Sequence, residues 1–159
     1  MSPKSPPDPS PGYARPVTPA TLAEIERLAD LLAGADLPRA GFDAVLAAGD
    51  VLVARDTRGR AIGCAAMERH GAAVLLRSVA VDPAWRGHGL GRRLVDTVLA
   101  RARSSGAREA YLLTETAAGF FDRLGWERCS RSDVPPAVAG SVEFTSACPL
   151  SAVAMRRAI

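Results

Sequence analysis

Lysine is nearly absent from this sequence of 159 residues, whose formal net charge is +3. Lys4 is the only lysine, so the basic charge lies almost entirely on arginines, which are scattered along the chain. Aromatic residues make up only 5% of the sequence, and no basic stripe with interleaved aromatics is visible. The sequence therefore gives no support to nucleic-acid binding, whereas an anionic small molecule is compatible with its charge.

Cysteines and long apolar runs are also scarce. Cys64, Cys129 and Cys148 are odd in number and far apart, without CxxC or histidine-rich spacing, so we expect reduced thiols and no metal. No apolar run approaches the roughly 20 residues that cross a bilayer. The first segment, Met1 to Gly12, is rich in Pro and Ser and predicts a flexible tail rather than a secretory signal. We expect a cytoplasmic protein with no membrane partner.

Length and composition predict a single domain over residues 13–159, in which apolar spacing predicts both helices and strands. Thr18-Pro19 is typical of a helix start, an N-cap followed by proline, and predicts a helix from about Pro19 to Ala33. A second, shorter helix is predicted around Phe42 to Leu46. The remaining pattern predicts, in chain order, strands 50–56, 61–68 and 73–81, a helix from residue 90 to about 105, strand 110–114, helix 117–124 and strand 151–157.

A glycine-rich turn follows the strand that ends at Val81. Arg86-Gly87-His88-Gly89-Leu90-Gly91 comes after the break Asp82-Pro83 and opens the next helix. Glycines let consecutive backbone N–H groups converge on phosphate oxygens, and a helix N-terminus adds about half a positive charge. The alternative to an anion site is that the glycines only form a tight connection between the strand and the helix. Neither a dinucleotide fingerprint nor a P-loop fits, because the turn lies in mid-chain after antiparallel strands and lacks Gly-Lys-Ser/Thr; the sequence favours the pyrophosphate of CoA.

Two motifs together resemble one family. The segment from Val79 to Gly91 is similar to the acyl-CoA-binding motif of the GNAT N-acetyltransferase superfamily, and Phe120 to Trp126 resembles its Phe-Tyr-x-x-Leu-Gly-Phe segment. The resemblance implies an N-acetyltransferase with acetyl-CoA as acyl donor. It also implies a mixed, mainly antiparallel sheet of six to seven strands, flanked by helices and splayed between strands 4 and 5. A homodimer is compatible with the resemblance.

The resemblance assigns acyl-CoA contacts to particular residues. Backbone groups of Val79 and Val81 would pair with the pantetheine arm as an added strand does, and the turn would cradle the pyrophosphate. The residues implied in cofactor binding are Val79, Ala80, Val81, Arg86, Gly87, His88, Gly89, Leu90, Gly91, Arg92, Phe120, Phe121 and Arg123.

Three further segments, Leu75 to Val81, Tyr111 to Thr114 and Val142 to Pro149, resemble arsenic-resistance-associated N-acetyltransferases. These are relatives of enzymes that acetylate phosphinothricin-like and arsinothricin-like amino acids, which implies a small anionic amine as acceptor. Two alternatives stay open. The acceptor is a different amine, such as a polyamine or a protein N-terminus, or the protein is a non-catalytic sensor that binds acetyl-CoA.

The acid that protonates the departing thiolate is not evident in the sequence. The family often has Tyr where this chain has Phe121, which has no proton to donate, and Thr114 stands where the family frequently has Asn. The remaining candidates for proton donation, directly or through water, are Ser78, Tyr111, Thr114 and Cys148. A strand aromatic packed in the core is the alternative for Tyr111. We expect the oxyanion donor to be a backbone N–H near Val79.

The general base is equally unusual, because the fourth strand, Ala73 to Val81, has no carboxylate where many family members place Glu. Glu115, at the end of the fifth strand, is the preferred candidate, followed by Glu68 and Glu143. Each has the alternative of being a solvated surface carboxylate. A water chain to a more distant base is also open.

Arg77 is unexpected inside an apolar central strand, where a guanidinium must reach a carboxylate, a substrate anion or solvent. One interpretation is recognition of an anionic acceptor group, with Glu143 and Cys148 lining the same pocket. The other is an internal salt bridge. Cys148 has its own alternatives, a thiol that binds trivalent arsenic or a buried, inert one.

Overall fold

Seven strands form one mixed sheet in the computed structural model, which describes residues 16–159. The order across the sheet is β1-β2-β3-β4-β5-β7-β6, and every neighbouring pair is antiparallel except β4 with β5. The predicted tail, Met1 to Gly12, lies outside the described residues. The strands are β1 Thr18–Pro19, β2 Val51–Arg55, β3 Ala61–His70, β4 Ala73–Val81, β5 Glu109–Thr114, β6 Glu127–Cys129 and β7 Val153–Ala158.

Helices cover both faces of this sheet. They are α1 Ile25–Gly34, α2 Phe42–Ala47, α3 Leu90–Ser104, α4 Ala118–Arg123 and α5 Pro136–Ala139. A π-helical turn spans Glu143–Ala147. Within residues 16–159, no helix is long and apolar enough to cross a membrane, and no group of three or more His, Cys, Asp or Glu side chains is placed to hold a metal ion.

The first helix begins later than the sequence predicts. Thr18-Pro19 is not a helix start, because both residues form β1 and pair with Val53 and Leu52 of β2. Proline is tolerated there since β1 is an edge strand. The helical segment starts instead at Thr21, whose N–H donates to Glu24 Oε1 at 2.9 Å, and continues through a short 3-10 turn into α1.

Successive side chains of the central strands pack into hydrophobic clusters on opposite faces of the sheet. Val74 and Leu76 of β4 pack with Leu94 and Val98 of α3 on one face, which we call the α3 face. Leu75, between them, packs on the opposite face with residues of β5 and α5. The next residue of that opposite side is Arg77, so the pleat turns its side chain away from α3.

The sheet opens between β4 and β5. Their parallel pairing runs from Ala73↔Glu109 to Leu75↔Tyr111, while β5 stays paired with β7 as far as Thr114. Beyond Leu75 the two strands diverge. The mixed, mainly antiparallel sheet, splayed between strands 4 and 5, confirms the fold predicted from the sequence.

Candidate active site

A β-bulge lies at the point where β4 leaves β5. Arg77 pairs with Ala66 and Ala80 with Cys64, so two residues, Ser78 and Val79, oppose one residue of β3. Ser78 has φ +57, a conformation uncommon for a residue with a Cβ. Bulges redirect backbone groups and are frequent beside active sites.

Backbone groups of β4 face the open gap. Asp82 N–H donates to Ile62 O of β3, so by the alternation along a strand the groups of Val81 point away from β3. The Val81 carbonyl accepts from Arg86 Nε at 3.0 Å, in agreement with that direction. Arg86 therefore already engages one backbone group that the family resemblance assigns to pantetheine, and the Val79 groups and the Val81 N–H are the others.

The glycine-rich turn forms an open cradle before α3. Gly87 has φ +82 and Gly89, the N-cap of α3, has φ +80. A Cβ placed on either glycine would meet nothing within 4 Å, so the turn is open on the side where a side chain would stand. A bound pyrophosphate fits this cradle, because the first turn of a helix of 15 residues points its N–H groups there.

Asp82 fixes the approach to this turn. Its carboxylate accepts from Ala84 N–H at 2.9 Å and from Arg27 Nη2 of α1 at 2.6 Å. Burial alone would raise the pKa of Asp82, but these hydrogen bonds bring it below its ordinary value. The turn is thereby tied to α1 on the opposite face of the sheet.

Aromatic side chains of α4 pack against the start of α3. The Phe120 ring lies 3.3 Å from the position that a Cβ on Gly91 would occupy, so glycine is what allows the two helices to approach. Phe121 is buried and makes edge contacts with Phe120 and Trp126, at ring distances of 5.0 and 5.7 Å. Phe121 thus has a packing role, and an acid is missing at this position.

The sequence from residue 47 to 128 matches the acetyltransferase (GNAT) domain, which is just over half of the chain. This match includes the bulge, the cradle and α4. The chain belongs to the GNAT acetyltransferase family.

An amino-acid acetyltransferase of Mycobacterium tuberculosis is 40% identical over 78 residues, which cover 45% of this chain and 41% of that protein. An uncharacterised N-acetyltransferase of Chlorobaculum tepidum is 33% identical over 81 residues, covering 50% and 52%. The chain thus spans about half the length of these relatives or less.

Solved structures share the GNAT fold. Rv2747 from Mycobacterium tuberculosis, in complex with CoA and NLQ, has a TM-score of 0.77 at 23% identity, covering 91% of this chain and 99% of that one. N-acetylglutamate synthase from Neisseria gonorrhoeae, with coenzyme A and N-acetyl-glutamate, has a TM-score of 0.76 at 18% identity, covering 90% and 34%. At these identities the likeness concerns the fold.

Arg77 is held by groups of this chain on both sides of the matched segment and within it. Its side chain is fully buried, and Nη1 donates to Glu68 Oε2 at 2.8 Å while Nη2 donates to the Ala40 carbonyl at 2.7 Å. Nε donates to Ser78 Oγ at 3.1 Å and lies 3.4 Å from Glu143 Oε1. The structure therefore contains the internal salt bridge that was the alternative to substrate recognition.

Glu143 is the most enclosed carboxylate of this cluster. It belongs to the π-helical turn, its side chain is 5% exposed, and its Oε2 accepts from Cys148 Sγ at 3.1 Å. Burial raises the pKa of Glu143, although the Arg77 charge and the Cys148 hydrogen bond act in the opposite direction. Burial and the Glu143 carboxylate together raise the pKa of the Cys148 thiol to about 12.

Tyr111 is not placed to donate a proton in the gap. Its hydroxyl donates to Glu109 Oε2 at 2.8 Å, at the opposite end of β5 from the opening. The side chain is 4% exposed and packs with Leu75 and Val138. Burial, followed by the Glu109 carboxylate, raises the pKa of Tyr111 to about 12. The candidate acid is corrected accordingly: this tyrosine is a core aromatic.

The other predicted residues lie in different places. Thr114 ends β5 and accepts from Ala117 N–H at 3.0 Å, so it caps the turn before α4, and Glu115 beside it is exposed. Ser78 is buried within the bulge. Arg92 is largely exposed on α3 and lies 3.8 Å from Asp96. Arg123 is the last residue of α4.

Sequence reasoning missed the loop between α1 and α2. Gly41 has φ +78, and a Cβ there would lie 2.8 Å from Arg77 Nη1. The carbonyl before it, from Ala40, accepts from the same guanidinium. The glycine before the helix at Phe42 indicates a turn at Ala40-Gly41. No neighbouring residue in the sequence indicates that this turn contacts an arginine of β4.

The raised pKa of Glu143 predicts a pH dependence of stability. The folded state holds a proton on this carboxyl more tightly than the unfolded state, so the group lowers the free energy of unfolding as pH rises from 4.5, the ordinary value, to the folded value. Glu143→Gln removes this effect. The free energy of unfolding of the variant minus that of wild type should therefore increase as pH rises across that window.

Urea unfolding of both proteins from about pH 4 to about pH 8 measures the difference, in which the other carboxyls cancel. A difference that stays constant with pH would contradict this interpretation of Glu143.

Proposed function

We propose that this protein transfers the acetyl group of acetyl-CoA to the amine of an amino acid. The observation that carries the proposal is the buried cluster of mixed charge beside the bulge, where the Arg77 guanidinium lies between the carboxylates of Glu68 and Glu143. Because Arg77 is fully buried and paired, this cluster would act on the ammonium and carboxylate of an amino acid through its electrostatic field and not by direct contact with the guanidinium. The relative from Mycobacterium tuberculosis, an amino-acid acetyltransferase, supports the same class of acceptor.

The reaction is direct acyl transfer, for which acetyl-CoA supplies the activated acyl group. The cradle of Gly87 and Gly89 binds the pyrophosphate, and the gap-facing backbone of Val79 and Val81 orients the pantetheine arm. The Val79 N–H at the bulge donates to the developing oxyanion. The acceptor enters from the face opposite α3, where Arg77 and its carboxylate partners lie.

The favoured acceptors are phosphinothricin-like and arsinothricin-like amino acids. Three segments support this choice by their resemblance to arsenic-resistance-associated N-acetyltransferases: 75–81, 111–114 and 142–149. Such acceptors carry a second acidic group, on which the buried Arg77 would act through its field and not by direct contact. The resulting activity would confer resistance to arsenic or to herbicide-type amino acids.

A cationic acceptor is the second candidate, because carboxylates outnumber the guanidinium in the cluster. Glu68 and Glu143 both lie within 3.4 Å of Arg77, and Glu115 acts electrostatically on Cys148 from the end of β5. Excess negative charge attracts ammonium groups. A polyamine or a protein N-terminus would fit that field.

Release of free CoA thiol, measured with a panel of amines, tests the proposal. Turnover is expected with amino acids, with kcat/KM at least about tenfold higher for phosphinothricin or arsinothricin than for spermidine or an N-terminal peptide. Turnover confined to polyamines or peptides would favour the second candidate. Tight binding of acetyl-CoA without turnover on any amine would contradict both and indicate a sensor.

A further inference from the structure

The π-helical turn brings a carboxylate to a strand that has none of its own. β4 contains no Asp or Glu, yet Glu143 lies 3.4 Å from Arg77 Nε, and the same nitrogen donates to Ser78 Oγ of the bulge at 3.1 Å. Arg77 therefore connects the Glu143 carboxylate with Ser78, the residue before Val79. Isolated π-helical turns are frequent at functional sites.

The same carboxylate is also linked to the other side of the gap. Its Oε2 accepts from Cys148 Sγ at 3.1 Å. The negative charge of Glu115, just after β5, contributes to the raised pKa of the Cys148 thiol. Glu143 thus links Arg77 of β4 with Cys148, on the face of the sheet opposite α3, from which an acceptor would enter. Of the other carboxylates, Glu115 is exposed, and Glu68 lies between two basic side chains, at 2.8 Å from Arg77 and 3.4 Å from His70, whereas Glu143 has one basic partner and one thiol.

We propose that Glu143 takes the proton of the acceptor ammonium, directly or through one water, while Arg77 and Cys148 hold its carboxylate in position. This inference rests on the acetyl transfer proposed above. The ammonium gives one proton to Glu143 and becomes a neutral amine. Its nitrogen forms the C–N bond to the acetyl carbon as the C–S bond breaks, and the second nitrogen proton goes to the departing sulfur. Glu143 then returns its proton to solvent.

The environment of Glu143 makes it a stronger proton acceptor than an exposed carboxylate. Burial raises the pKa of this carboxyl above its ordinary value, and a base with a higher pKa takes a proton more readily. The positive charge of Arg77 keeps the carboxylate form accessible. The titratable or charged groups that face Glu143 and its turn are Arg77 from β4, Glu68 from β3, Cys148 beside the turn, Glu115 after β5, and Arg131, which contacts Phe144.

Kinetics of Glu143→Gln across pH, with phosphinothricin as acceptor, test the proposal. The variant should bind acetyl-CoA as wild type does but lose kcat/KM by about 100-fold or more near pH 7. The loss should shrink as pH rises, since a growing share of the amine is then neutral without help. Glu127→Gln, which removes an exposed carboxylate on β6, is the matched control and should behave as wild type.

Each outcome is decisive. Wild-type activity in Glu143→Gln, a loss that is the same at every pH, or a pH-dependent loss in Glu115→Gln instead would overturn the proposal. A wild-type protein that acetylates no amine would overturn the proposed function itself. If Glu143→Gln fails to bind acetyl-CoA, Cys148→Ala replaces it: loss of the thiol hydrogen bond should move the acidic limb of kcat/KM to higher pH, and an unmoved limb rejects the role of Glu143.

Discussion

Arg77→Met should lower the free energy of unfolding by about 3 to 5 kcal/mol, the range for breaking a buried ion pair on one side. The expected loss is large because the guanidinium is fully buried and joins β3, the bulge of β4, the α1–α2 loop and the π-helical turn. Methionine has a similar volume but leaves Glu68 and Glu143 without their cation. Urea unfolding at neutral pH gives the measurement.

The pH dependence of this loss separates charge from packing. Without Arg77 the folded-state pKa of Glu143 rises further, so the destabilisation is present above the carboxyl pKa and fades as pH falls and the group becomes protonated. Arg128→Met is the control, since it breaks an arginine–aspartate pair of 2.8 Å on the surface, and it should leave the unfolding midpoint unchanged. A loss in Arg77→Met that does not vary with pH would point to packing alone.

Gly89→Val should weaken acetyl-CoA binding by about 100-fold, which corresponds to two charge-assisted hydrogen bonds of about 1.5 kcal/mol each. The valine side chain enters space that is free at the N-cap of α3, beside the first turn whose N–H groups would hold the pyrophosphate. The fold should survive, because the Cβ meets no atom within 4 Å and the strain of φ +80 amounts to about 1 to 2 kcal/mol. Calorimetric titration with acetyl-CoA measures the effect.

Gly59→Val supplies the matched control for this substitution. Gly59 has φ +82, and a Cβ on it also meets nothing within 4 Å, but it lies in the turn between β2 and β3. It should lose similar stability and bind acetyl-CoA as wild type does. Equal weakening of binding in both variants would mean that strain, rather than occupation of the cradle, is responsible.

The donor side of the site could be predicted from the sequence because its signals are local. The turn from Arg86 to Gly91 and the segment from Phe120 to Trp126 each carry their pattern in a few consecutive residues, and the glycine conformations follow from those residues. The helix start at Thr18-Pro19 was wrong for a related reason. Two residues cannot by themselves distinguish a helix cap from an edge strand, and pairing with β2 decided the outcome.

The acceptor side could not be predicted in the same way. Arg77 and Glu143 are far apart in the sequence, and no sequence pattern near Glu143 predicts a π-helical turn. The sequence identified Arg77 as a group in need of a partner, but its partners come from three other segments that only the folded sheet brings together. Tyr111 shows the converse, because its position on β5 was predicted while the direction of its hydroxyl depended on Glu109.

The protonation of the cysteines decides how cleanly the reaction can be followed. Burial is the main cause of a raised thiol pKa in all three, with Cys64 and Cys148 both at about 12. Only a thiolate attacks chromogenic disulfides or alkylating agents at an appreciable rate. A thiol reagent added to the assay at neutral pH will therefore respond to liberated CoA with little background from the protein.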